Sequence, residues 1–266
     1  MKIIVTGGAG FIGSNFIKKI LALHPEHKIV NLDALTYAGN LENLSDIKDF
    51  KNYQFVQGSI CDQALMKDLL STADMVINFA AESHVDRSID GPRQFIDTNI
   101  TGTFTLLEAV RMYRNHIRFV QVSTDEVYGS LGSTGLFTEE SPISPNSPYS
   151  ASKASADLLV RSYHETFHMD VVTTRCSNNY GPYQFPEKLI PLVIDRALQN
   201  QRIPVYGDGK NIRDWIYVED HCLGVWTAAT KGKSGQVYNF GAQNEIQNIE
   251  IVQHILKLTD RSNSLI

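Results

Sequence analysis

Two short stretches carry side chains suited to acid–base chemistry. In "STDEVYG", residues 123–129, Asp125 and Glu126 stand side by side after a hydrophobic run, "RFVQVS", that reads as a strand. Adjacent carboxylates usually sit in solvated turns. In a cleft, close like charges push their titrations apart, so one can hold a proton while the other is ionised, as paired acid–base work requires. The second stretch, "YSASK", places Tyr149 and Lys153 four residues apart in a helical segment opened by "SPNSP". That spacing puts both side chains on one helix face. An ammonium beside a phenol stabilises the phenolate, so the spacing predicts a lowered Tyr149 pKa and a base near neutral pH. Such pairs also arise by chance, and each stretch keeps both readings until its surroundings are considered.

Those surroundings include a glycine turn. "TGGAGFIG", residues 6–13, sets Gly7, Gly10 and Gly13 directly after the first strand and before a helix. One glycine allows a tight turn, one lets backbone approach a pyrophosphate, and one lets the helix pack close to the sheet. N–H groups at the helix start, those of Phe11 and Ile12 among them, would hold the anion. Asp33 ends the second strand, "KIVNLD", 20 residues past Gly13. A carboxylate there accepts from the adenosine-ribose hydroxyls and repels a 2′-phosphate, which favours NAD over NADP.

The elements that must position these groups are legible as a rhythm. "KIIVTG", "KIVNLD", "YQFVQGS", "MVINFA", "RFVQVS" and "VVTTRC" alternate with amphipathic stretches such as "GSNFIKKILALH", "CDQALMKDLLS" and "TGTFTLLEAVRMYRN". Apolar strands separated by helices predict an α/β fold, a doubly wound parallel Rossmann-type sheet covered on both faces. Residues 1–175 are assigned to this NAD-binding domain, with returns near 211–240. Residues 176–210 and 241–266, with a helix "LIPLVIDRALQN", a short strand "IPVYGDG" and a helix "NIEIVQHILKL", are assigned to a smaller substrate-binding lobe. Across 266 residues the net charge is −5, which argues against a broad nucleic-acid surface. No apolar run approaches a membrane span, and "MKIIVTGG" leaves no room for a signal peptide, so a cytoplasmic protein is expected. Cys61, Cys176 and Cys222 show no metal-ligand spacing and read as chance core or strand cysteines.

Together these motifs resemble the extended short-chain dehydrogenases/reductases that act on nucleotide sugars. "AAESHVDRSI", "STDEVYG", "NNYGP" and "RDWIYVEDH" narrow the resemblance to the dTDP-glucose 4,6-dehydratase branch, and it runs along essentially the whole chain. It implies that Tyr149, with Thr124 and Lys153, removes the C4 hydroxyl proton of dTDP-glucose as a hydride passes to NAD. Glu126 would then take the acidified C5 proton and Asp125 would protonate the departing C6 hydroxyl. The resemblance further implies cofactor contacts from Ala34, Leu35, Thr36, Ser59, Ile60, Ala80, Ala81, Glu82, Ser83 and Asn179. Ser83, His84, Thr124 and Asn178 would meet the sugar, while Lys188, Leu189, Pro204 and Tyr206 would form the base pocket. Arg213 would grip the diphosphate and Asn248 would add a further substrate contact. Asn99 is expected to support the site from behind, or to be a packed polar helix residue. Members of the family are usually homodimers.

Two departures qualify the resemblance. Ser59 stands in "QGSICD" where the family usually has Asp, which predicts a weaker adenine contact. The chain ends at Ile266, before a late Arg- and His-bearing segment of the family, so the lobe is expected to be incomplete and turnover reduced or absent. The competing readings are a related epimerase or decarboxylase, a UDP-sugar dehydratase, and a catalytically silent NAD- or nucleotide-binding fragment. The Asp-Glu pair argues against the epimerase and the decarboxylase.

Overall fold

Strand β1 (Lys2–Thr6) is apolar between its ends because both of its faces are covered. Ile3 and Val5 enter one hydrophobic core and Ile4 enters another, the split that a period of two imposes on a strand buried twice over. The same logic builds β2 (Lys28–Asp33), β4 (Met75–Asn78), β5 (Arg118–Thr124) and β6 (Val171–Cys176), while β3 (Tyr53–Gln57), at the sheet edge, is only partly covered. Four further strands follow: β7 (Asn178–Tyr180), β8 (Ile212–Tyr217), β9 (Val237–Phe240) and β10 (Glu245–Gln247). In the computed structural model, which describes residues 1–113, 117–132 and 134–266, β9 completes a seven-stranded sheet. Its order is β3-β2-β1-β4-β5-β6-β9 and every pairing in it is parallel. A separate three-stranded sheet runs β10-β8-β7.

Helices cover both faces of the large sheet. The chain forms α1 (Phe11–Leu23), α2 (Gln63–Leu70), α3 (Val85–Asp90), α4 (Pro92–Phe95), a π-helical segment Ile96–Gly102, α5 (Thr103–Met112) and α6 (Pro148–Phe167). After these come α7 (Leu189–Leu198), α8 (Val218–Lys231) and α9 (Asn248–Leu258). Helices α1 and α8 bury Phe16, Ile17, Ile20, Val225 and Trp226 against one face. Helices α2, α5 and α6 bury Met66, Leu106, Leu107 and Val160 against the other. Each such aliphatic or aromatic side chain contributes roughly 1.5–3 kcal/mol by leaving water. Val193, Ala197, Val252, Ile255 and Leu256 from α7 and α9 form a third core beside the small sheet.

The predicted strand at "IPVYGDG" is not formed. Gly207 and Gly209 adopt left-handed backbone there, and Ile203 and Val205 pack into the third core instead of joining a ladder. Of the helix expected over 101–115, residues 114 and 115 lie outside the described residues. Cys176 and Cys222 are buried, but Cys61 is exposed, with its Sγ near the Asp97 carbonyl at 3.3 Å; it is not a core residue.

Two local devices position the future site. Ser147 caps α6 by accepting the Ser150 N–H at 3.1 Å, and the Ser150 hydroxyl accepts the Ser147 N–H at 2.9 Å. With Pro148 in the first turn, that box fixes where Tyr149 and Lys153 begin. At the β1–α1 turn Gly7 has φ +69° and donates its N–H to the Leu32 carbonyl at 2.8 Å. A Cβ there would lie 2.6 Å from the Ala80 nitrogen. Gly7→Ala is therefore expected to destabilise the fold by about 1–3 kcal/mol. Denaturant unfolding measures it, and an unchanged midpoint would show that this turn has room to move.

Candidate active site

A parallel sheet brings the C-terminal ends of its strands to one edge, and the strand order here reverses between β1 and β4. A cleft of about 380 Å³ opens along that edge. One part of its wall carries Gly7, Gly10, Phe11, Ile12, Gly13, Asp33, Ala34, Thr36, Ser59, Ile60, Ala80, Ala81, Glu82 and Ser83. The other carries Thr124, Asp125, Glu126, Tyr149, Lys153, Asn178, Asn179 and Lys188. The first part is shaped for a dinucleotide. Helix α1 has no side-chain cap and no acidic residue in its first turn, so its leading N–H groups are free to meet an anion. A Cβ on Gly13 would collide with the Gly7 carbonyl. Asp33 accepts from the Ala9 and Leu35 N–H groups at 2.9 and 2.8 Å, which aims its carboxylate along the end of β2.

The acid pair occupies a 3-10 turn, Asp125–Tyr128, at the end of β5. Thr124 shapes it: its hydroxyl accepts the Glu126 N–H and donates to Asp125 Oδ1, both at 3.2 Å. Lys153, buried on α6, donates from Nζ to the Val122 carbonyl at 2.7 Å. Asn179 is held by three groups. Its Nδ2 donates to the Ser177 carbonyl at 3.1 Å and to Cys176 Sγ at 3.3 Å, and its Oδ1 faces His221 Nδ1 at 2.9 Å. That acceptor requires the His221 proton on Nδ1, and burial lowers the imidazole pKa to about 4, keeping the ring neutral.

The GDP-mannose 4,6 dehydratase family model matches residues 4–265. A dTDP-glucose 4,6-dehydratase of Xanthomonas campestris pv. campestris (strain B100) is 57% identical over 97% of this chain and 76% of its own length. The chain belongs to the dTDP-glucose 4,6-dehydratase family. A Bacillus anthracis member in complex with NAD superposes with a TM-score of 0.93 at 52% identity, over 99% of this chain and 83% of that one. A Streptomyces venezuelae member with NAD and TYD bound gives 0.96 at 47% identity over the same shares.

Within this family's cleft the electrostatics differ from expectation at one point. Burial, followed by the Glu126 charge, pushes Asp125 from 3.8 up to about 6, against the Thr124 hydrogen bond and the Arg213 charge. Glu126 also rises, with burial leading over the charges of Arg213 and Lys188. Asp125 is half-buried and Glu126 exposed, and both line the cleft. Tyr149 is not lowered. Burial, then the charges of Glu126, Cys176 and Asp125, raise the phenol well above its ordinary value, and the Thr124 hydroxyl opposes them only in part. The lysine does not reverse this, because its ammonium is directed at a backbone carbonyl and burial depresses its own pKa.

Seven expected contacts, and the expected support Asn99, stand off the cleft wall. The Leu35 N–H is spent on Asp33. Asn99 lies behind the wall, bonded to Glu82 backbone on both sides at 2.9 and 3.0 Å and to Ser152 at 2.8 Å. His84 caps α3 by accepting the Arg87 N–H. Leu189 packs into the third core, and Pro204 lies between two residues that do the same. Tyr206 is 77% exposed and donates to Asp86. Arg213 donates to the Ile212 carbonyl, although its charge still acts on both acids. Asn248 opens α9 with its Oδ1 buried and unpartnered.

The cleft also holds Ser123, Cys176, Ser177, Gln184, Phe185 and Glu187, which the motifs did not single out. Cys176 was findable, since it lies opposite Thr124 in the β5–β6 register. Far from the cleft, His24, Glu26 and His27 have ligand-type atoms within 4.8 Å of one another. Trp226 Nε1 donates to His24 Nε2 at 3.0 Å, so a neutral His24 carries its proton on Nδ1, the atom facing Glu26. A metal would need that nitrogen bare.

Because Asp125 is easier to protonate folded than unfolded, its ionisation costs stability, a cost absent below about pH 4 and complete above about pH 6. Asp125→Asn should thus stabilise the fold by on the order of 1–2 kcal/mol at pH 8, and by nearly nothing at pH 4. Chemical denaturation at both values tests this; equal midpoints at pH 8 would place the carboxylate in effectively bulk solvent.

Proposed function

We propose that this chain converts dTDP-glucose to dTDP-4-keto-6-deoxyglucose, a hydro-lyase reaction with bound NAD. The observation that carries the reading is the presence of Asp125 and Glu126 on one cleft wall with Tyr149 and Lys153. Epimerisation at C4 needs only the tyrosine and lysine. Removing water across C5–C6 also needs a base for C5 and an acid for the C6 oxygen. NAD, which the glycine turn and Asp33 fit, supplies the capacity to take a hydride from C4 and give it back at C6. Tyr149 accepts the C4 hydroxyl proton. Glu126 takes the C5 proton, acidified by the new ketone, while Asp125 protonates the C6 oxygen so that it departs as water. Glu126 then returns its proton to C5, and the proton Tyr149 took from the C4 hydroxyl replaces the one Asp125 gave up, so the product is substrate less one water, with no net redox change.

The elevated Asp125 pKa supports the acid role, because a carboxyl with a pKa of about 6 keeps a protonated fraction near neutral pH, where an ordinary aspartate has almost none to give. Residues 1–175 with 211–240 would bind NAD, and 176–210 with 241–266 would hold the nucleotide sugar. Phe104, Met112, Leu158 and Phe167 expose apolar surface on α5 and α6, which supports a homodimer. Among the described residues no helix is long and apolar enough to cross a membrane. Three free cysteines suit a reducing cytoplasm. The 4-keto-6-deoxy product is the type that feeds rhamnose and other activated 6-deoxyhexoses.

Incubation with dTDP-glucose and, separately, UDP-glucose is expected to give 4-keto sugar from the first in preference to the second. No product from either, with NAD still bound, would leave a silent binding protein. In the double variant Asp125→Asn/Glu126→Gln, water loss should fall by roughly a thousandfold or more while some C4 oxidation persists, seen as reduced nicotinamide on sugar addition. Undiminished dehydration would remove the acid–base assignment.

A further inference from the structure

The two halves of the proposed chemistry sit on different elements. Tyr149 and Lys153 ride on α6, while Asp125 and Glu126 ride on the turn after β5. Between them lies a chain of buried polar bonds that the reaction itself does not use. Asp157, one helical turn beyond Lys153 on α6, accepts from Arg175 Nε at 2.9 Å. Arg175, on β6, donates from Nη1 to the Tyr128 hydroxyl at 2.8 Å. That hydroxyl donates onward to Asn239 Oδ1 on β9 at 2.8 Å. Tyr128 closes the same 3-10 turn that carries the acid pair. Asp157, Arg175 and Tyr128 are 3%, 5% and 3% exposed, so all three sit where an imperfect polar contact is costly.

Apolar packing also joins the turn to the helix, through Val127, Tyr128 and Ala154. Such packing is non-directional and tolerates small rotations. The guanidinium is different: one rigid plane bonds the helix carboxylate through one nitrogen and the turn phenol through another. Register assists it, because Arg175 lies opposite Ser123 on β5 and opposite Asn239 on β9. The Tyr128 hydroxyl is used fully, accepting once and donating once.

We propose that Arg175 and Tyr128 are positioning residues that hold the carboxyl pair at a fixed setting relative to the tyrosine–lysine helix, so that elimination can follow oxidation on the same bound sugar. The inference rests on the dehydratase reading. It differs from a plain stabilising role in its signature. A core pair that merely holds the fold would lower both half-reactions together. A tether between their two sets of groups should affect the second more than the first, because the proton acceptor for oxidation, Tyr149, rides on α6 with Lys153, whereas elimination needs both acids on the turn.

Tyr128→Phe removes one oxygen and leaves the ring to stack on Phe137, whose centroid is 5.0 Å away. Rapid mixing with dTDP-glucose would follow reduced nicotinamide and 4-keto-6-deoxy product separately. Reduced nicotinamide should form within about twofold of the wild-type rate and then accumulate, while product formation slows by roughly tenfold to a hundredfold. Equal loss in both phases, or no loss in either, overturns the proposal. If Tyr128→Phe does not fold, Asn239→Ala, which frees the hydroxyl from β9 only, should show the same asymmetry at smaller size; symmetric loss is again fatal. Should the wild-type chain make no 4-keto sugar at all, the dehydratase reading fails by itself. The tether is then judged by carboxyl NMR: the Asp125 titration should move in Tyr128→Phe relative to wild type, and an unchanged curve would refute it.

Discussion

Asp125 and Glu126 place two like charges at adjacent positions on one cleft wall, and the cations nearest in effect, Arg213 for both and Lys188 for Glu126, act by field and not by contact. Close pairing with a lysine or arginine would remove the strain and also the chemistry, since both acids would then stay ionised at any useful pH. The turn therefore relies on weaker help. Thr124 gives its hydroxyl to one acid and takes the backbone N–H of the other, which orders the turn without neutralising it. Two cores that sandwich the sheet offset the remaining cost, and for that the strands must be apolar on both faces.

A contrast within one region makes the arrangement intelligible. Asp157 is as buried as any carboxylate in the chain, yet it meets Arg175 directly. A buried ion pair of this kind adds little net stability over apolar packing, but losing one partner is severe. Charge is thus matched where it orients elements and left unmatched where protons must move. Lys153 lies between the two regimes: burial depresses its pKa and the Asp157 carboxylate supports its charge from one turn away.

Much of this was readable before the fold was known, for reasons of locality. The glycine turn, Asp33 and the six strand runs are written within windows of a few residues, where period and turn chemistry act directly. "YSASK" and "STDEVYG" likewise name their own residues. What escaped depends on distant partners. Whether "IPVYGDG" pairs or turns is decided by α9 and by two left-handed glycines. β7 and β10 are three residues each and exist only because β8 lies between them. The direction of the Tyr149 shift could not be read from a lysine four residues away, since the decisive groups are the acids on another element and the depth of burial. Glu187 entered the cleft through its bond to Arg87, 100 residues earlier in sequence, which no local pattern announces.

The raised phenol and the raised acid are one phenomenon. Apart from burial, the charges of Glu126, Cys176 and Asp125 oppose a phenolate on Tyr149. By reciprocity, a phenolate there opposes ionisation of the acids. Protonating Asp125 removes one of those negative charges and makes the tyrosine proton easier to lose. On the proposed mechanism, the microstate in which the base is ready is thus favoured by the same proton that loads the acid for the later step. On that mechanism, a single turn of backbone set against one helix would link the start of the reaction to its elimination through charge.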